Sequence, residues 1–373
     1  CVSAAFALAA LGTSLAPTAA AGQAQTLQSA PINEYNAINH PVVGRNGMVA
    51  SQNADATRVG VEILKQGGNA IDAAVGVGLA LAVTLPRAGN IGGGGFMLVH
   101  LAEEDRTVAI DFREVAPAAA HRDMYFGADG DVDNAEYRFS HKSSGVPGTV
   151  AGLDHILREY GTMSWAQVVE PALRLARDGI VVTDDLANNL GASKERLTQN
   201  PATAAAFYKP DGSEYAVGEV LRQPDLAWSL EQLRNDGADA FYRGAIADRI
   251  IADMEAHNGI ITREDLANYR VIEREPGAGS YQGFDVRAMS APSSGGMHIV
   301  QMLNILDRFP IAELGYGSAD AMHVMAEAKK LANADRSNYL GDTDFVELPE
   351  RQITSTEYAA DLAAVIVMTR ARP

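Results

Sequence analysis

From residue 48 onward the chain passes between helical periodicity and short apolar runs of strand length. An extended segment, Met48-Val49-Ala50-Ser51, leads into a helix over Ala54–Lys65, and Gly67-Gly68 marks its stop. Asn69 to Thr84 is apolar on nearly every face. It is shorter than the about 20 residues that a bilayer span needs, so it predicts a helix buried at the centre of the fold. Two apolar runs follow, Phe96–Leu101 and Thr107–Ile110, with the polar turn Glu103-Glu104-Asp105-Arg106 between them, and together they predict a hairpin. Helical patterns return over Gly148–Tyr160, Ser164–Arg177, Asp225–Arg234 and Ala245–His257. Ser164 with Gln167, and Thr262 with Asp265, stand at capping-box spacing, and Gly179 supplies a stop. Strand character reappears over Tyr281–Met289, before the turn-rich Ser290–Gly296. The longest amphipathic helix is expected over Ala319–Ser337 behind Ser318 as cap. The pattern is that of a mixed α/β protein with many helices.

The glycine run Gly92–Gly95 opens the predicted hairpin, which ends in Asp111-Phe112-Arg113-Glu114. Glycine backbone permits close approach of a ligand or a second strand. A guanidinium held at a strand end offers a planar fork that matches two carboxylate oxygens. Arg113 is therefore the candidate binding residue, for a small carboxylate; the bland alternative is a salt bridge to Asp111 or Glu114.

Composition narrows the classes. At 373 residues, 47% apolar and 21% charged, the chain has material for a large core in one domain or two. A formal charge of −17 argues against nucleic acid or an anionic membrane surface as partner. Residues 2 to 16 form an apolar stretch too short to span a bilayer, and Ala19-Ala20-Ala21 gives a small-residue cleavage pattern. Residues 1–21 thus read as an export signal with an incomplete start, 22–40 as a linker and 41–373 as the folded portion, with a periplasmic or secreted location. Cys1 is the single cysteine and would leave with the signal, so no disulfide, thiolate metal site or cysteine nucleophile is expected.

Several chemistries find no support in the pattern. The eight histidines are scattered singly without the paired spacing of a zinc helix. There is no Gly-x-Ser-x-Gly elbow and no Walker loop, and Leu81 stands where a dinucleotide fingerprint would need its third glycine. His298, beside Gly295-Gly296, reads as a packed or solvated residue. No cofactor is expected.

Taken together, residues 48 to 370 resemble the large subunit of gamma-glutamyltransferase, also called gamma-glutamyl transpeptidase or glutathione hydrolase. The resemblance rests on Ala50-Ser51-Gln52, Gly67–Ala74, Gly89–Met97, Asp111–Pro117, Ser144–Gly152, Pro292–Gly296 and Ala334-Asp335-Arg336, in the family's order. It implies an N-terminal-nucleophile hydrolase with a four-layer αββα core. It further implies a precursor that cuts itself, exposing a threonine at the start of a small subunit. That threonine attacks the γ-carbonyl of glutathione or another γ-glutamyl compound, its own α-amino group serving as base, and the glutamyl group passes to water or to an amine. On the same resemblance Arg113 binds the donor's α-carboxylate. The family's Thr-Thr-His-Tyr junction does not occur here, and Thr369 lacks that pattern, so the chain reads as a large-subunit portion, inactive alone, whose partner is the threonine-bearing small subunit. A same-scaffold acylase or γ-polyglutamate hydrolase, and a non-catalytic γ-glutamyl-binding chain, are the alternatives. By the same reading the glycine run is a packing device, Pro292–Gly296 a structural loop more than a cleft border, and Asp335-Arg336 a buried or interface ion pair.

Overall fold

The computed structural model describes residues 42–372, so the predicted signal and linker lie outside the described residues. Its centre is the apolar segment anticipated from the sequence. Helix α1 (Ala54–Lys65) packs on helix α2 (Ala70–Thr84), which in turn contacts helices Thr149–Tyr160 and Trp165–Asp178. Val75, Leu79, Ala80 and Val83 of α2 join Val150, Leu153, Val168, Leu173, Leu230 and Leu233 in one continuous core. An all-round apolar helix can only be stable with neighbours on every side, and this one has them.

The start of α2 is fixed by a capping box between Asn69 and Asp72. Asp72 is fully buried, and its carboxylate also accepts hydrogen bonds from Thr162 N, Thr162 Oγ1 and Met163 N, tying α2 to the loop after helix Thr149–Tyr160. Burial pushes this carboxyl's pKa up, but the hydrogen bonds from Thr162, Met163 and Asn69 outweigh it and hold the pKa below 3.8. Asp72→Asn turns one acceptor into a donor facing donors and is expected to cost about 2–3 kcal/mol in urea unfolding at neutral pH. A depressed folded-state pKa stabilises above the unfolded value and loses that contribution as pH falls through the folded one. The stability gap between wild type and variant should accordingly narrow below pH 3.8, and a gap constant from pH 7 to 3 would exclude the ionised role.

Strands β1 (Phe96–Leu101) and β2 (Arg106–Asp111) form the anticipated hairpin, paired from Phe96↔Asp111 to Leu101↔Arg106. A short third strand, Ile272–Arg274, pairs antiparallel on the other edge of β2 and completes the sheet. Val99, Val108, Ile110 and Phe112 bury this sheet against Ile156. Val108 to Asp111 are buried in succession, which places β2 inside the molecule and its C-terminal end at the base of a cleft.

The far side of that cleft is a second layer. Where the sequence predicts one strand over Tyr281–Met289, the structure has a hairpin of Gly277–Tyr281 and Phe284–Ala288. Gln282 and Gly283 both take positive φ, of 51° and 83°, as a tight two-residue turn requires. Gln-Gly lacks the Asn-Gly or Asp-Gly signature of such turns, so the sequence conceals it. The hairpin packs on helix Ser294–Leu306, and that helix packs on Ala319–Tyr339 and Thr356–Ala364 through Ile305, Ala328 and Ala359. Helix Asp184–Leu197, with only Leu186 and Leu190 buried, carries too little apolar signal to be predicted. The described residues form a mixed α+β fold, the class that the sequence pattern anticipates. No described helix is long and apolar enough to cross a membrane.

Candidate functional site

Arg113 follows β2 by two residues and is exposed at the cleft. Three contacts fix its backbone. Asp111 Oδ1 accepts from Arg113 N at 3.0 Å, and Tyr269 Oη donates to the Arg113 carbonyl at 2.8 Å. The third is steric: a Cβ on Gly94 would lie 2.6 Å from Glu114 N and 2.7 Å from the Phe112 carbonyl. Only glycine lets the Gly92–Gly95 run lie against Phe112–Glu114, while Gly95 exchanges backbone hydrogen bonds with Phe112 in both directions. The packing role expected for the glycines holds at Gly94, against backbone, and at Gly95, against the Phe112 ring, whereas a Cβ on Gly92 would meet nothing within 4 Å.

The salt bridge that could have claimed Arg113 is not formed. Asp111 Oδ2 accepts instead from Arg274 Nε at 2.9 Å, with both side chains largely buried. Among the described residues the Arg113 guanidinium has no acidic partner. Beneath it, Tyr269 stacks on Tyr242, ring centroids 5.8 Å apart, and Tyr242 Oη donates to the Pro147 carbonyl at 2.9 Å. Burial, reinforced for Tyr269 by Tyr242, Asp111 and Glu114, drives both phenols well above their ordinary pKa, so they are permanent neutral donors.

Arg113 lines two adjoining cavities of about 340 and 370 Å³, both also bordered by Glu114, Pro292, Arg336 and Leu340. Gly94, Gly95, Ser293 and Ser294 edge the smaller. Motifs far apart in the chain therefore meet in one place: the glycine run, the Asp-Phe-Arg segment, the Pro-Ser-Ser loop and the Asp-Arg pair. Two expectations change. Pro292–Ser294 borders the cleft as well as starting a helix. Asp335 and Arg336 do not pair with each other: about 100° apart around the helix, one turns inward to other partners and the other outward. Asp335 is buried, accepting from Gln301 Nε2 and, at 3.1 Å, from Tyr358 Oη, while Arg336 points to the cleft. Sequence reasoning missed Arg336 as a cleft residue, and only the helical phase between 335 and 336 could have signalled it. His298 is buried with Nδ1 at 3.0 Å from Gln301 Oε1, a packed residue as expected.

The smaller cavity is bordered by two guanidiniums, Arg113 and Arg336, and one carboxylate, Glu114, a set that suits a ligand end bearing both a carboxylate and an ammonium group. The larger cavity of about 650 Å³ lies elsewhere, among Gln52, Leu85, Arg87, Asp185 and Phe207. Its Arg87 and Asp185 face each other at 3.4 Å, and Arg196 also lines it, so its charged groups are an ion pair and one further guanidinium.

Comparison with known proteins gives a consistent answer. Residues 56–373 match the family Gamma-glutamyltranspeptidase. The glutathione hydrolase proenzyme of Escherichia coli K12 is 51% identical over 336 residues, covering 90% of this chain and 58% of that protein. The acylase ACY 1 proenzyme of Pseudomonas sp. V22 is 38% identical, over 91% of this chain and 62% of its own length. The crystal structure of Helicobacter pylori gamma-glutamyltranspeptidase superposes with a TM-score of 0.87 at 41% identity, covering 89% of this chain and 95% of that one. The chain thus spans less than two thirds of the curated proenzymes it resembles.

Proposed function

We propose a function for a chain that belongs to the gamma-glutamyltranspeptidase family: it is the large-subunit portion of an exported enzyme that cleaves the γ-glutamyl bond of glutathione and related compounds. Arg113 grips the donor's α-carboxylate in its fork, with Arg336 and Glu114 completing the charge pattern around the amino-acid end. The nucleophile is the hydroxyl of an N-terminal threonine on a small-subunit partner. Its oxygen attacks the γ-carbonyl, the proton passes through the threonine's own amine to the departing nitrogen, and the C–N bond breaks. Water or an acceptor amine then takes the glutamyl group from the ester, releasing the hydroxyl. The observation that carries this reading is the unpaired Arg113 guanidinium in the cleft, freed because Arg274 occupies Asp111.

The proportions support a two-chain enzyme: 58% of a proenzyme is matched, against 95% of the Helicobacter chain. The apolar stretch over residues 2–16 supports export. The chain alone is expected to be inactive. Co-expressed with a threonine-initiated small subunit, it should hydrolyse γ-glutamyl-p-nitroanilide, and a folded but inactive pair would remove the enzyme reading. An acylase acting on substrates without an α-carboxylate has no use for Arg113, so a substrate panel separates the two donor classes.

A further inference from the structure

The histidines that stand alone in the sequence are not all alone in space. His141 Nε2 lies 2.9 Å from Asp253 Oδ2, and His257 Nδ1 lies 3.2 Å from Asp253 Oδ1. The two imidazoles stack with centroids 4.5 Å apart and planes within 11°. One ligand atom from each of the three residues falls within 4.8 Å of the other two. We propose that His141, Asp253 and His257 form a binding site for a divalent transition-metal ion of the zinc or nickel type.

The chemistry of the set fits such an ion. Two neutral nitrogen donors and one carboxylate oxygen are a common ligand set for borderline metals, and solvent would fill the remaining positions. Donors bound tetrahedrally at about 2.0–2.1 Å sit about 3.4 Å from one another. The two imidazole–carboxylate spacings already lie near that value, one to each oxygen of Asp253. The exposed His257 ring would turn out of its stack on His141 and away from the Asp253 carbonyl, 2.9 Å from its Nδ1, to bring both nitrogens onto one ion. Exposures of 24%, 59% and 54% for His141, Asp253 and His257 leave an open path from solvent. Asp253 meets no lysine or arginine among the described residues, so nothing competes with a cation for its charge. Gly259 gives His141 its place, since a Cβ there would stand 3.1 Å from the His141 Cβ.

The site would act as a clasp. Asp253 and His257 occupy the end of helix Ala245–Ala256, whereas His141 begins the short turn His141–Ser143 that leads into Ser144–Gly148. Val146 in that segment pairs with Val115, close to Arg113. A bound ion would tie the excursion between residues 116 and 146 to the helical layer.

The test is calorimetric titration of the tag-free, chelator-stripped chain with zinc chloride and nickel chloride, together with thermal unfolding. One equivalent should bind in the micromolar range and raise Tm. Affinity should fall about tenfold or more in His141→Ala, His257→Ala and Asp253→Asn alike. Without metal, the His257→Ala and Asp253→Asn variants should keep a Tm near the wild-type value, since both side chains are more than half exposed. Absence of saturable binding by the wild type, or undiminished binding in all three variants, would overturn the proposal.

Discussion

On the proposed function, alanine at Arg113 is expected to lower kcat/KM for a γ-glutamyl donor about a hundredfold in the assembled enzyme, mostly through KM. The reason is that the α-carboxylate remains on the substrate while its partner disappears, leaving a charge desolvated in the cleft without compensation. Lysine should restore only part of the loss, because an ammonium cannot make the two parallel hydrogen bonds of the guanidinium fork. Arg336→Ala should cost about tenfold, the equivalent of one charge-assisted hydrogen bond. Steady-state kinetics on γ-glutamyl-p-nitroanilide check both, with unfolding midpoints to show that each variant folds. A donor analogue lacking the α-carboxylate should be indifferent to the Arg113 change. An unchanged KM for the normal donor would remove Arg113 from the site.

How much of this could be seen in the sequence follows the range of the interactions involved. Helices with strong local signals appear where expected: α1, α2 and Trp165–Asp178 keep their boundaries to within a residue or so, and the Ser164/Gln167 and Thr262/Asp265 spacings form true capping boxes. The β1–β2 hairpin is legible because its turn is polar and its strands are apolar. Arg113 is legible as a candidate because it stands beside a glycine run. What sequence could not give is the partner of a residue far along the chain. Arg274 sits on a strand of only three residues, 163 positions from the Asp111 it pairs with, and nothing local marks it. His141 and Asp253 meet across 112 residues for the same reason. Arg336 needed the phase of its helix against a neighbouring layer.

The Asp111–Arg274 pair yields the largest stability prediction, and one that separates positioning from binding. Asp111 is 6% exposed and uses both carboxylate oxygens, one on Arg274 Nε and one on the backbone N–H of Arg113. Arg274, its side chain 13% exposed, also approaches Asp344 at 3.6 Å. Because Asp111 lies opposite Ile272 in the sheet, Arg274 reaches it along the same face two residues on. Asp111→Ala strands a guanidinium in a largely buried place and should cost about 3–5 kcal/mol, read as a shift of the urea midpoint. The double replacement Asp111→Leu with Arg274→Met should recover most of that, since removing both charges removes the desolvation penalty as well as the attraction. Activity should not recover with it. The double variant still lacks the acceptor that holds Arg113 N, so the loop carrying the guanidinium loses its anchor and KM for the donor stays raised. A double variant that regained both stability and KM would mean that Asp111 serves the fold alone, and that Arg113 finds its place without it.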